Sequence, residues 1–138
     1  MKKDMTKTKK LIFSTFLITG MVFTSLFCQA QVPDEIVLGF KKGDVKILSR
    51  YFNQNVELIV LENEKVYSKA QAQQIVGNFF NNYFPEEFTV IHNSNSNKEG
   101  AKAVIGKLIT AKGNFRVYFL LKQNDGKEYI HQLRIEKQ

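Results

Sequence analysis

One stretch, Ser68 to Pro85, decides most of what this chain can fold into. Ser68 and Gln71 have the spacing of a capping box, in which a hydroxyl and an amide each satisfy a backbone group at a helix start. Ala72, Ile75, Val76, Phe79, Phe80, Tyr83 and Phe84 then recur at spacings of three and four, until Pro85 stops the pattern. The spacing predicts a long amphipathic helix with an aromatic face. Such a face needs a broad apolar surface to cover, and much of the remaining sequence alternates with the period of two that belongs to strands.

Residues 32–52 read as two short helices. Pro33 suits a first helical position, Asp34 and Glu35 favour the positive end, and Ile36, Val37 and Phe40 make an apolar face before Gly43 ends the helix. Asp44 caps the next, whose face is Ile47, Leu48, Tyr51 and Phe52. Val56 to Leu61 reads as a strand, 62–64 as a polar turn and Lys65 to Tyr67 as a short return strand. Beyond the long helix come Phe88 to His92, a Ser/Asn-rich loop over 93–100, and strands at Ala101 to Thr110, Phe115 to Lys122 and Glu128 to Glu136. The expected class is α+β: a curved, mainly antiparallel sheet of about six strands, covered by an N-terminal helix pair and one long amphipathic helix.

The last hairpin admits a register argument. Asn124, Asp125 and Gly126 suit a three-residue loop, which pairs Gln123 with Lys127, Leu121 with Tyr129, Phe119 with His131, Val117 with Leu133 and Phe115 with Ile135. A two-residue Asp125-Gly126 loop sets Phe119 against Gln132 and Arg116 against Ile135, so apolar consistency selects the first register. His131 and Tyr129 then fall on the core face. Tyr118, Leu120 and Ile130 fall on the opposite one, and with Ile105 and Ile109 they form a patch that suits a homodimer contact. Scattered surface apolarity accounts for that patch equally well.

Lys2, Lys3, Lys7, Lys9 and Lys10 precede an uncharged run from Leu11 to Phe27, which has the order of a secretory signal peptide. Small residues at Cys28 and Ala30 place cleavage after Ala30, giving an expected leader over 1–30 and a single α+β domain over 31–138 that is soluble and periplasmic or secreted. Lipidation of Cys28 is the rival reading, opposed by the bulky Phe27; an uncleaved anchor is a second rival, and 17 residues with several Ser and Thr make a marginal span. The full chain carries 20 basic and 13 acidic residues, a net charge of +7. Five lysines and one aspartate belong to the leader, so the mature domain keeps 15 and 12, or +3. The basic character therefore belongs mainly to the address, and no nucleic-acid partner is expected. The one cysteine leaves with the leader, so the domain folds without a disulfide.

The element order over residues 32–137 resembles the nuclear transport factor 2-like superfamily, a cone-shaped α+β fold shared with ketosteroid isomerase and scytalone dehydratase. The leader, the short domain, Asp44 to Leu61 and Phe115 to Ile135 resemble the exported bacterial domain-of-unknown-function family 4783. The superfamily resemblance implies a pocket between sheet and helices in which enzymes use Asp, His or Tyr as proton carriers. The family resemblance implies a fold and a compartment, and no activity.

His131 is the ionisable group that the register puts on the apolar face, with Tyr129 beside it and Tyr83 approaching from the helix. A hydrogen-bonded core histidine explains His131 as well. No Asp or Glu joins that face in those two strands, which weighs against isomerase or dehydratase chemistry. His92 falls on the face of Phe88 and Val90, and Lys107, between Ile105 and Ile109, is a pocket candidate if it does not snorkel outward. Two histidines without a metal-binding spacing argue against a metal, and Glu57, Glu62 and Glu64 read as a solvated face. Arg116, Tyr118 and Lys122 show ordinary strand alternation, and Gly39, Gly77 and Gly106 are isolated, so no cofactor is expected. The sequence points to a non-enzymatic module binding a small apolar ligand or a protein, with a His131 proton-transfer enzyme as the alternative.

Overall fold

The computed structural model describes residues 31–96 and 100–138, besides the isolated Lys9. The expected leader and cleavage site fall outside the described residues. The compact unit is Val32–Gln138. Its elements are α1 (Asp34–Lys42), α2 (Val45–Ser49), β1 (Phe52–Val60), β2 (Asn63–Ser68), α3 (Lys69–Asn82), β3 (Pro85–Ser96), β4 (Ala101–Thr110), β5 (Gly113–Asn124) and β6 (Lys127–Lys137). One open six-stranded sheet runs in the order β2-β1-β6-β5-β4-β3, antiparallel except where β1 lies parallel to β6. The α+β expectation holds.

Local chemistry explains where the helices begin and end. The Asp44 carboxylate accepts from the N–H groups of Lys46 and Ile47 at the start of α2. Both halves of the Ser68/Gln71 capping box are present at α3. Gly43 closes α1 in the left-handed conformation at φ 61. Pro33 stands one position outside α1 as its N-cap.

The core lies between the helices and one face of the sheet. Phe40 of α1 is fully buried; its ring stacks on Phe88 at 4.7 Å and Phe119 at 5.7 Å and meets the edge of Phe80 at 6.2 Å. Phe79 and Tyr83 enclose Phe115 from α3, at 5.1 and 4.9 Å. Pairs of this geometry contribute on the order of 1 kcal/mol each beyond their buried area. Gly106 gives the Phe88 ring its place, since a Cβ there would stand 2.5 Å from two ring carbons. Phe84, expected on the apolar face of the helix, is 67% exposed, because α3 ends at Asn82 and the chain turns into β3 at Pro85.

The last hairpin departs from the expected register. Asn124 pairs with Lys127 around a two-residue loop in which Asp125 (φ 50) and Gly126 (φ 75) are both left-handed, as a type I′ turn requires. Leu121 then faces Ile130, and a bulge follows, so that Leu120 faces Gln132 and Phe119 faces Leu133. The extra residue is His131. The bulge restores the apolar match that a regular two-residue hairpin forfeits, and the three-residue loop is not needed. Ile130 consequently belongs to the core, at 0% exposure, and not to the opposite face.

Candidate functional site

α3 and the β1–β2 hairpin diverge at one side of the sheet and leave a cleft of about 250 Å³. Ile75, Asn78, Phe79 and Asn82 share one side of α3 by their three- and four-residue spacing, and Tyr83 closes the row at the helix end. Leu58 and Val60 form the floor from the core face of β1, Asn63 and Tyr67 form the wall from β2, and Leu61 stands at the tip. The cleft therefore has an apolar base, three amides and two phenols. No carboxylate, imidazole or ammonium lines it. The Asn82 amide donates to the Asn78 carbonyl at 3.0 Å, which aims its own carbonyl oxygen away from the helix backbone.

Leu61 is the strained residue of the site. It sits at φ 59, 40% exposed, at the first position of a two-residue loop between Val60 and Asn63 that usually carries Gly. Its N–H donates to the Ile135 carbonyl at 2.9 Å, which ties the tip to β6. A left-handed non-glycine residue costs about 1–2 kcal/mol and is held by its surroundings. A shallower groove continues from the cleft, sharing Leu61, Asn63 and Tyr83 and adding Glu62, Glu136 and Lys137. Lys112 Nζ stands 6.0 Å over the Tyr83 ring nearby.

Of the pocket candidates read from the sequence, Tyr83 borders this cleft. Tyr83 and His131 are not brought together: Tyr83 packs on Phe115, whereas His131 lies beside Leu121, roughly 20 Å further along β5 at about 3.4 Å per residue. His131 Nε2 is buried without a hydrogen-bond partner among the described residues, and so is Arg134 Nε. Burial, then the Lys122 charge, lowers the His131 pKa below its ordinary 6.5. Tyr129 pairs with Lys122 and faces away from Ile130, with Lys127 Nζ 5.6 Å over its ring.

A second bulge moves His92. Val90 pairs with Gly106 and His92 with Ile105, so Ile91 is the extra residue and His92 stands exposed on the open face beside Ile105. Lys107 lies on that face between Thr89 and Arg116. Ile105, Ile109, Tyr118 and Leu120 share the open face, all half-buried. Among the described residues no three His, Cys, Asp or Glu come together as a metal site, and no helix is long and apolar enough to cross a membrane.

Two polar contacts escaped sequence reasoning. Lys102, on the core face of β4 and 5% exposed, pairs with Glu128 at 2.7 Å. The Tyr51 hydroxyl donates to Glu35 at 2.8 Å, and burial followed by that bond raises the Tyr51 pKa.

The sequence model of the domain of unknown function DUF4783 matches residues 33–136. The chain belongs to the DUF4783 family. A DUF4783 protein from Bacteroides ovatus is similar at 32% identity and TM-score 0.73, over 78% of this chain and 96% of its own. An NTF2-like protein of unknown function from Shewanella baltica matches at TM-score 0.59 and 15% identity, over 76% and 86%. A protein with a cystatin-like fold from Nostoc punctiforme matches at TM-score 0.59 and 10% identity, over 76% and 72%. These last two likenesses show the fold alone, so this DUF4783 chain has the NTF2-like, cystatin-like α+β fold. No curated protein matches it.

Proposed function

We propose that the domain is an exported, non-catalytic binding module that takes an apolar group into the cleft between α3 and the β1–β2 hairpin. The lining carries this reading: Leu58, Val60, Leu61, Ile75 and Phe79 supply apolar area, while Asn63, Asn78, Asn82, Tyr67 and Tyr83 supply directional polar groups. Of the proton carriers that the superfamily's enzymes use, the cleft lining holds only the phenols of Tyr67 and Tyr83, with no carboxylate or imidazole beside them to serve as the base. The alternative, an isomerase- or dehydratase-like enzyme built on His131, finds no support in this geometry, since His131 lies along β5 from the cleft. Export rests on the lysine-rich start and the uncharged run from Leu11 to Phe27. Mass spectrometry of the processed protein is expected to find Gln31 at the N-terminus, and a lipidated Cys28 would overturn the cleavage site.

The direct test uses the apolar dye anilinonaphthalene sulfonate. Ile75→Trp fills the cleft from the helix side, and Asn78→Trp, at an exposed position on its lip, covers it with little demand on the core. Dye fluorescence that drops in both variants, with urea midpoints unchanged, supports the cleft. Full fluorescence in both would place the dye elsewhere and sink the proposal.

A further inference from the structure

The cleft proper encloses about 250 Å³, below the roughly 300–1,000 Å³ of pockets that bury a drug-sized molecule, and it opens past Leu61, Asn63 and Tyr83 into a shallower groove of about 780 Å³. A small cleft that opens into a larger groove suits one side chain of a longer partner. What that longer partner is follows from what flanks the cleft: β2 forms the outer edge of the sheet, paired with β1 on one side only. All its residues are exposed apart from the half-buried Tyr67. Register places Asn63, Lys65 and Tyr67 on the cleft side of β2, opposite Val60, Leu58 and Val56, and places Glu64 and Val66 on the other side. A strand added beside β2 would run past the cleft and send alternate side chains toward it.

We infer, resting on the cleft reading above, that the natural partner is an extended peptide segment that pairs with the free edge of β2, seats an apolar side chain in the cleft and sets a carboxylate opposite Lys65. Backbone pairing supplies affinity and the alternate side chains supply selectivity. Lys65 forms no ion pair among the described residues, so its ammonium is available to an acidic side chain of the added strand. The same lysine, with Glu64 beside it, discourages indiscriminate pairing by apolar strands, which is how exposed edges are commonly guarded. Asn78 and Asn82 line the α3 side of the cleft, where their amides can meet polar groups of the added strand.

The probe is a blocked synthetic peptide, acetyl-Thr-Leu-Thr-Glu-Lys-Phe-Thr-amide, whose glutamate falls opposite Lys65 when it runs antiparallel to β2. It is compared with the same peptide N-methylated at alternate residues, which keeps the side chains and removes the donors facing β2. The first peptide is expected to bind and to slow hydrogen exchange along β2, and N-methylation is expected to weaken binding roughly tenfold or more. Lys65→Glu is expected to weaken it as well, with recovery when the peptide glutamate becomes lysine. Equal binding of both peptides, or no binding of either while the dye still binds, overturns strand pairing and leaves the cleft standing. Binding that survives both Ile75→Trp and Asn78→Trp overturns the cleft reading itself.

Discussion

Replacing Gly106 with alanine puts the packing of the core to a quantitative test. The added Cβ would sit 2.5 Å from Cε2 and Cζ of Phe88 and 3.2 Å from the Thr89 carbonyl oxygen. Carbon atoms pack best at about 3.5–4.0 Å, so the ring must retreat by roughly an ångström or more. It has nowhere to go: Phe88 is 2% exposed and stacks at 4.7 Å on Phe40, which stacks in turn on Phe119. Overpacking costs about 1–3 kcal/mol, and the disturbed stack adds up to about 1.5. Removing a strand glycine returns about 0.5–1 kcal/mol, leaving a net loss of about 2. Two further alanines calibrate the scale. Gly126→Ala meets open space but must hold φ +75, so only the backbone opposes it, at about 1 kcal/mol. Gly77→Ala, within α3 and 3.4 Å from Val45 Cγ1, is expected to stabilise by about 0.5–1 kcal/mol. Urea unfolding reads all three, provided the slopes agree. A Gly106→Ala loss no greater than that of Gly126→Ala would refute the wedged ring. Recovery of the loss by Phe88→Leu in the same chain would locate the strain at this contact.

Three other outcomes are open to measurement. Lys102→Ala strands the Glu128 carboxylate on the core face and is expected to cost about 2 kcal/mol or more by urea unfolding, whereas Lys102→Met with Glu128→Leu recovers most of it. His131 is neutral in both states above its ordinary 6.5; as pH falls below that, the unfolded chain takes the proton first, so stability declines until the lowered folded value is passed. His131→Gln is expected to flatten this acid-side decline, and an unchanged pH profile of the urea midpoint would contradict it. Tyr118→Glu with Leu120→Glu, on the open face, is expected to halve the light-scattering mass of a dimer joined there, and an unchanged mass would remove that contact.

The helices were legible because their signals are local: Ser68 with Gln71, Asp44 and Gly43 each act within a turn of their own backbone. Strand content was legible for the same reason, through alternation. The face of His92 and the strand pairing around His131 were not, because a bulge is one residue wide and its position is settled by distant partner strands. His131 owes its place to the match of Leu120 and Leu121 with Gln132 and Ile130, and His92 to the match of Val90 with Gly106. The Asp125-Gly126 turn was visible, but it fits the apolar pattern only once the bulge is allowed. Nothing in Leu61-Glu62 resembles a left-handed turn, and the cleft is a space between Ile75, Asn78, Asn63 and Tyr67, residues whose separate positions carry no motif.

Binding is proposed at the cleft between α3 and the β1–β2 hairpin, and not around His131. Amide–nitrogen correlation spectra recorded while the blocked peptide or the apolar dye is added test it most directly. Binding in the cleft gives the largest shifts at Asn63, Tyr67, Ile75, Asn78, Phe79 and Tyr83. Shifts gathered instead around Lys122, Tyr129 and His131 would contradict it.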